Sequence, residues 1–191
     1  MTLPVPDLTV LPLTQDRWPD LERLFGERGA CGGCWCMTWR LPRKQFNAQK
    51  GEGNRLELKR LVESGPPPGL IAYVDGAPAG WCSIAPRPCF PALARSRVWQ
   101  AVDDRPVWSI TCLFVLKPYR RQGLSVRLLR AAAAFAATQG AGLVEGYPLD
   151  TDDALPPPFV WTGLASAFHK AGFEEVRRRS RHKPIMRRAA G

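Results

Sequence analysis

Apolar positions along this chain change their period several times, and each change marks a predicted element boundary. Leu8 to Thr14 alternates apolar and polar, which predicts a strand, with Pro12 pointing to an edge. Asp16 is placed to cap a helix whose apolar face is Trp18, Leu21, Leu24 and Phe25. Residues 29–53 lose any regular period and are rich in Cys, Trp, Gly and Lys, so they read as irregular. Leu56, Leu58, Leu61 and Val62 predict a helix from about Asn54 to Glu63, stopped by the Ser-Gly-Pro-Pro-Pro-Gly run at 64–69. Leu70 to Val74 and Ala79 to Ala85, separated by Asp75-Gly76, predict a β-hairpin. A polar, proline-bearing connection, 86–105, then leads to the most apolar stretch.

That stretch, Val107 to Leu116, reads as a buried strand ending at the Lys117-Pro118 turn. Tyr119-Arg120-Arg121-Gln122-Gly123-Leu124-Ser125 follows, and a long apolar helix begins at once and reaches about Gln139. A strand that empties through an Arg/Gly loop into a helix start builds an anion cradle. Free backbone N–H groups and the positive end of the helix dipole converge there. Gly123 admits close backbone approach, and Arg120 and Arg121 add charged donors. The alanine run 131–134 suits close packing on a sheet, and Gly140 stops the helix. Leu143 to Tyr147 is the next strand, Leu155 to Phe159 a loop, and 162–170 a helix ending at Ala171-Gly172. Strands near 173–179 and 184–187 close the chain. The reading is a single α/β domain over 1–191: a mixed sheet flanked by helices. Residues 176–191 form a basic segment that includes the last strand.

Leu113-Phe114-Val115 followed by Arg120-Arg121-Gln122-Gly123-Leu124-Ser125 resembles the acyl-CoA-binding motif of the GNAT superfamily of N-acetyltransferases. That motif runs Arg/Gln-x-x-Gly-x-Gly/Ala, with Ser125 standing here for the last small residue. Phe168-x-x-x-Gly172-Phe173 is similar to the family's late helix ending in Gly-Phe. The resemblance spans about residues 8–188. It implies a GNAT-like, mostly antiparallel twisted sheet with a splayed central strand pair. It also implies acetyl-CoA as co-substrate, and direct attack by a primary amine in a ternary complex. Phe114 and Val115 would give main-chain contacts and the oxyanion donors, and Arg120 to Ser125 would hold the pyrophosphate. The segment between the first two helices lines the acceptor site in that family, which points to Trp35, Trp39 and Arg40. The family's usual acid, a Tyr, is replaced by Phe168, and a frequent Asn by Trp161. Glu145 and Tyr147 lie two apart on one strand and so share a face, as candidate base and acid; a face turned to core or solvent is the other reading. The missing Tyr keeps open a non-catalytic acyl-CoA-binding or sensor domain.

Charge changes this picture less than its size suggests. Of the net +10, seven charges fall in Val176–Gly191, as Arg177, Arg178, Arg179, Arg181, Lys183, Arg187 and Arg188 with no acid. Charge concentrated in one tail argues against nucleic acid as the partner and for a solvated or cofactor-facing segment. Asp103 and Asp104 offer a cationic amine some attraction. Six cysteines and no leader-like start at MTLPVPDLTV predict a cytoplasmic protein with reduced thiols. Arg127 and Arg130 interrupt the longest apolar run, so no membrane span is expected. Cys31-Gly-Gly-Cys34-Trp-Cys36 has no fourth ligand at finger spacing, which leaves packed or cleft-lining thiols and no metal. The expected partner is a small-molecule or protein amine, and an exposed closing strand could pair two copies in a homodimer.

Overall fold

The computed structural model of the chain describes residues 7–153 and 155–191. Residues 1–6, part of the N-terminal stretch expected to carry no leader, lie outside them. Among the described residues the strands are β1 (Leu8–Pro12), β2 (Gly69–Val74), β3 (Ala77–Pro86), β4 (Trp108–Val115), β5 (Leu143–Gly146), β6 (Glu174–Arg178) and β7 (Pro184–Ala189). The helices are α1 (Trp18–Phe25), α2 (Arg43–Ala48), α3 (Glu52–Ser64), α4 (Pro91–Ala94), α5 (Leu124–Thr138) and α6 (Ala165–Lys170). The strands make one sheet in the order β1-β2-β3-β4-β5-β7-β6. All neighbours are antiparallel except β4 and β5, which are parallel. This is the mixed sheet that the pattern predicts, with the mostly antiparallel topology that the family resemblance implies.

Alternation sorts the side chains onto two faces. Leu70, Ala72, Cys82, Ile84, Ile110 and Val144 meet α5 and α6. Ile71, Tyr73, Trp81 and Cys112 meet α1 and α3. Farther along that second face, Ala85, Tyr147 and Ile185 pack under Phe90, Leu93 and Trp99. Ala132, Ala133 and Ala136 let α5 lie close to the sheet. Opposite them a Cβ at Gly80 would sit 3.1 Å from a Leu128 methyl. The hairpin turn has Asp75 and Gly76 both at positive φ, 49° and 76°, the geometry that Asp-Gly supports.

Two expectations shift. Asp16 lies inside a 3-10 turn, Gln15–Arg17, that precedes α1, and α1 has no side-chain cap. Residues 29–53 are not wholly irregular, because α2 forms there. It buries none of its residues, so it carries no apolar period to read. β6 is the outer edge of the sheet and every residue of it is exposed. Its four charged residues, Glu174, Glu175, Arg177 and Arg178, are of the kind that blunts edge pairing.

The C-terminal arginines are largely spent inside the fold. Arg178 pairs with Asp150, and Arg187 with Asp103 and Glu145. Arg179 donates to the carbonyls of Gln100 and Ala101, and Arg188 to that of Ala171. No helix among the described residues is long and apolar enough to cross a membrane.

Candidate active site

β4 and β5 pair over only three residues, Trp108–Ile110 with Val144–Gly146, and then part. The parting has a local cause. The β3–β4 register slips between Ser83, opposite Cys112, and Ile84, opposite Ile110, leaving Thr111 unmatched. A bulge bends its strand and sharpens the twist, so β4 turns off just where β5 stops pairing. Gly146 sits at the fork. A Cβ there would fall 2.1 Å from the Phe168 ring, so that ring fills the base of the opening.

Along the far half of β4 the backbone groups alternate sides. The Leu116 N–H bonds to the Ala79 carbonyl on the β3 side, and the Leu113 N–H bonds to the Trp161 carbonyl at 2.7 Å on the other. By that alternation Phe114 faces β3, and Val115 faces the opening. Of the two oxyanion donors expected from sequence, only Val115 is therefore directed there. The returning chain at 161–165 closes the lower part of the opening. It is tied to β4 through Trp161, and to Leu149 through the Gly163 carbonyl and the Ala165 N–H.

The loop beyond β4 forms the cradle. Gly123 is the N-cap of α5 with φ 80° and ψ 3°, and no side chain caps the helix. The N–H groups of Leu124, Ser125 and Val126 precede the first i to i−4 bond, Arg127 N–H to the Gly123 carbonyl, and so have no helical acceptor. A Cβ built on Gly123 meets nothing within 4 Å. The space in front of those amides is open. Arg121 and Gln122 are exposed, and Arg121 is itself at positive φ, 61°. Arg120 turns back, its Nε donating to the Val115 carbonyl at 2.8 Å, which braces the strand end against the loop. Leu124 puts its side chain in the core and Ser125 is half-buried at the first turn. The residues present fit a diphosphate: free amides, a helix N-terminus, an open glycine and flanking arginines.

Glu145 and Tyr147 are brought together but away from solvent, at 0% and 1% exposure. The Tyr147 hydroxyl donates to Glu145 Oε1 at 2.7 Å. Arg87 Nη1 reaches the same oxygen at 2.8 Å, and Arg187 Nε reaches Oε2 at 2.7 Å. Ser109 Oγ lies 2.8 Å from the Tyr147 hydroxyl. Arg187 extends the network to Asp103 at 2.8 Å, and Arg87 to the Trp99 carbonyl at 2.6 Å. Burial pushes the Tyr147 hydroxyl far above its ordinary range. The Arg187 hydrogen bond holds Asp103 well below the ordinary carboxylate range. Both Glu145 oxygens are thus taken by donors of the network. The network stitches β5 to β7 and to the 87–103 connection, which fixes the side of the fork opposite β4. Sequence reasoning missed Arg87, Ser109 and Arg187. The one available signal was a lone Glu in the apolar run Leu143-Val144-Glu145, which demands a buried partner without naming it.

The acceptor candidates separate. Trp35 is buried, stacked on Trp18 at 6.0 Å and meeting Phe25, which in turn meets Phe114. Trp39 stacks on Trp161 at 5.9 Å and meets Trp99 edge-on, so it belongs to the rim of the fork. Arg40 lies over the Phe90 ring at 4.4 Å. The cysteines diverge: Cys31 is exposed, Cys34 half-buried and Cys36 buried with its Sγ 3.3 Å from that of Cys112. Among the described residues no group of three or more His, Cys, Asp or Glu is arranged to hold a metal. A cavity of about 720 Å³ lies at the other end of β4, between Pro86, Phe90, Pro106 and Gly142, and not at the cradle.

The model of the acetyltransferase (GNAT) family matches residues 35–151. A GNAT-family acetyltransferase from Listeria monocytogenes superposes with a TM-score of 0.58 at 10% identity, covering 95% of this chain and 94% of its own. PaiA N-acetyltransferase from Thermoplasma acidophilum, solved in complex with coenzyme A, gives 0.53 at 13% identity, over 96% and 99%. The aminoglycoside N-acetyltransferase AAC(6′)-Iy, also in complex with CoA, gives 0.54 at 16% identity, over 95% and 99%. At these identities the likeness is one of fold. No curated protein sequence matches the chain.

Proposed function

The chain belongs to the acetyltransferase (GNAT) family, and from that premise we propose that it transfers an acetyl group from acetyl-CoA to the primary amine of a small molecule or protein, by direct attack in a ternary complex. The observation that carries this reading is the open helix start at Gly123, next to the end of β4 where the Val115 N–H is directed away from β3. Acetyl-CoA would supply an activated acyl carbon and a thiolate that leaves readily, since a thiol pKa is about 8.5.

The chain's own residues do the rest. The first amides of α5 and the flanking Arg121 take the diphosphate charge. The Val115 N–H, directed into the fork, donates to a carbonyl oxygen there and stabilises the charge it gains. Arg120 keeps that N–H in position by bracing the Val115 carbonyl. Phe168 and the 161–165 segment wall the fork off from the core side. Glu145 and Tyr147 enter this reading as positioning residues. They set the angle of β5 and leave the amine to lose its proton to water.

The sensor reading keeps one specific support: Phe168, where a leaving-group acid would stand, is fully buried and has no proton to give. A single experiment separates the two. Both readings require a thermal shift with acetyl-CoA, and only the transferase releases free thiol when amines are supplied. A panel of primary amines giving no thiol release above hydrolysis, with acetyl-CoA binding intact, would leave the sensor reading standing.

A further inference from the structure

Arg40 is the one guanidinium among the described residues with an enclosed nitrogen that has no partner. Arg87, Arg178 and Arg187 each hold a carboxylate within 4.0 Å, whereas Arg40 has no ion pair among the described residues. Its Nη2 donates to the Pro68 carbonyl at 3.1 Å. Its Nε is enclosed and has no partner, and its Nη1 has none either but is not enclosed. Burial lowers its pKa to about 10, so it stays charged at neutral pH. Desolvating a guanidinium without a counter-ion is costly, and such an arrangement persists where something else supplies the anion. The nearby Cys36 thiol does not. Its hydrogen bond with Cys112 and its burial push it well above the ordinary thiol range.

Two routes lead from Arg40 to the fork. Cys36, close enough to feel the Arg40 charge, touches Cys112 on β4, the neighbour of Leu113. Trp39, next in sequence, stacks on Trp161, whose carbonyl holds the Leu113 N–H. The loop reaches this position at a cost, with Trp35 and Cys36 both in the left-handed region at φ 42° and 54°. Strained non-glycine backbone is kept where the surroundings fix a side chain for use.

We propose that Arg40 reads an anion on the acceptor, and that the acceptor is a small amino-carboxylate such as a free amino acid. Its carboxylate lies on the open edge of the guanidinium and its amine points toward β4. The inference rests on the acetyltransferase reading above. The unenclosed Nη1 leaves charged N–H groups for a carboxylate oxygen, and the short path from Arg40 through Cys36 to β4 suits a short molecule. The rim of Trp39, Trp99 and Trp161 provides apolar walls for its side chain.

The test uses matched sets: an amino acid, its decarboxylated amine and its amide, for example phenylalanine, phenethylamine and phenylalaninamide, extended across other side chains. Thiol release should favour the carboxylate member in kcat/KM by on the order of 10–100-fold. Arg40→Met should erase that preference with the acetyl-CoA thermal shift unchanged, and Arg40→Lys should keep part of it. Tryptophan fluorescence titration of the N-acetyl amino acids with CoA present reads the same subsite without turnover, and Arg40→Met should abolish saturation. Equal use of amine and amino acid by the native chain, or a preference that survives in Arg40→Met, would overturn the assignment. So would the lack of saturable binding of any carboxylate-bearing ligand. If acetyl-CoA itself gives no shift, the acetyltransferase reading is what fails; carboxylate binding lost on Arg40→Met would then still locate the anion site.

Discussion

Replacing Glu145 with Gln separates a positioning carboxylate from a catalytic base. In the native fold this side chain is fully buried and accepts from Arg87 at 2.8 Å and from Arg187 at 2.7 Å. The amide keeps the shape but removes the negative charge, and one of its two ends turns from acceptor to donor facing a guanidinium. Breaking a buried pair by removing one partner costs about 3–5 kcal/mol. For a chain of this size each kcal/mol lowers Tm by roughly 2–4 °C, so a fall of about 6–20 °C is expected. Asp103 moderates it by retaining Arg187. The assay is thermal unfolding by circular dichroism, alongside the pH dependence of kcat/KM with an acceptor in hand. The positioning reading requires a large fall in Tm and a pH profile of unchanged shape at temperatures where the variant is folded. A Tm within about 2 °C of native, with turnover down by about 100-fold or more and the acidic limb of the profile lost, is the signature of general-base catalysis. That result would refute the reasoning.

The cradle is tested by Gly123→Glu, which fills the open space before the α5 amides and adds a like charge; the acetyl-CoA thermal shift should vanish, and retained binding would place the cofactor elsewhere. Gly146→Ala drives a methyl into the Phe168 ring, 2.1 Å from its nearest carbon, and should cost about 1–3 kcal/mol in a urea melt. Asp103→Asn tests the network by pH. A carboxyl held below its ordinary 3.8 adds stability above that value and loses it as pH falls toward its lowered value, so the variant should melt lower at pH 7 and the gap should begin to narrow below about pH 4. Alkylation should follow burial: Cys31 and Cys89 are exposed and should label first. Cys34, pushed up to about 11 by burial and by Cys36, should label slowly at pH 8 and faster as pH rises.

Local pattern was enough to identify the strands, the long helices and the Asp75-Gly76 turn, because alternation and the helical period are properties of neighbouring residues. It was also enough to place the loop and helix start at Gly123, since Arg120 to Ser125 are contiguous. The short helix Arg43–Ala48 escaped because it buries nothing, and only burial imprints a period. The acid–base candidates were legible as a pair, two residues apart on one face, but not as what they are joined to. Arg87 is 58 residues from Glu145 and Arg187 is 42.

Sequence by itself determined where the chain can turn and alternate, and where a helix start follows an Arg/Gly loop. Tertiary structure alone decided which carboxylate meets which guanidinium, which side of β4 turns from β3, and that Arg40 has an enclosed nitrogen and no acid. Those are relations between residues far apart in the chain. They are set when the sheet closes and water leaves, and the cost of a desolvated charge then selects its partner.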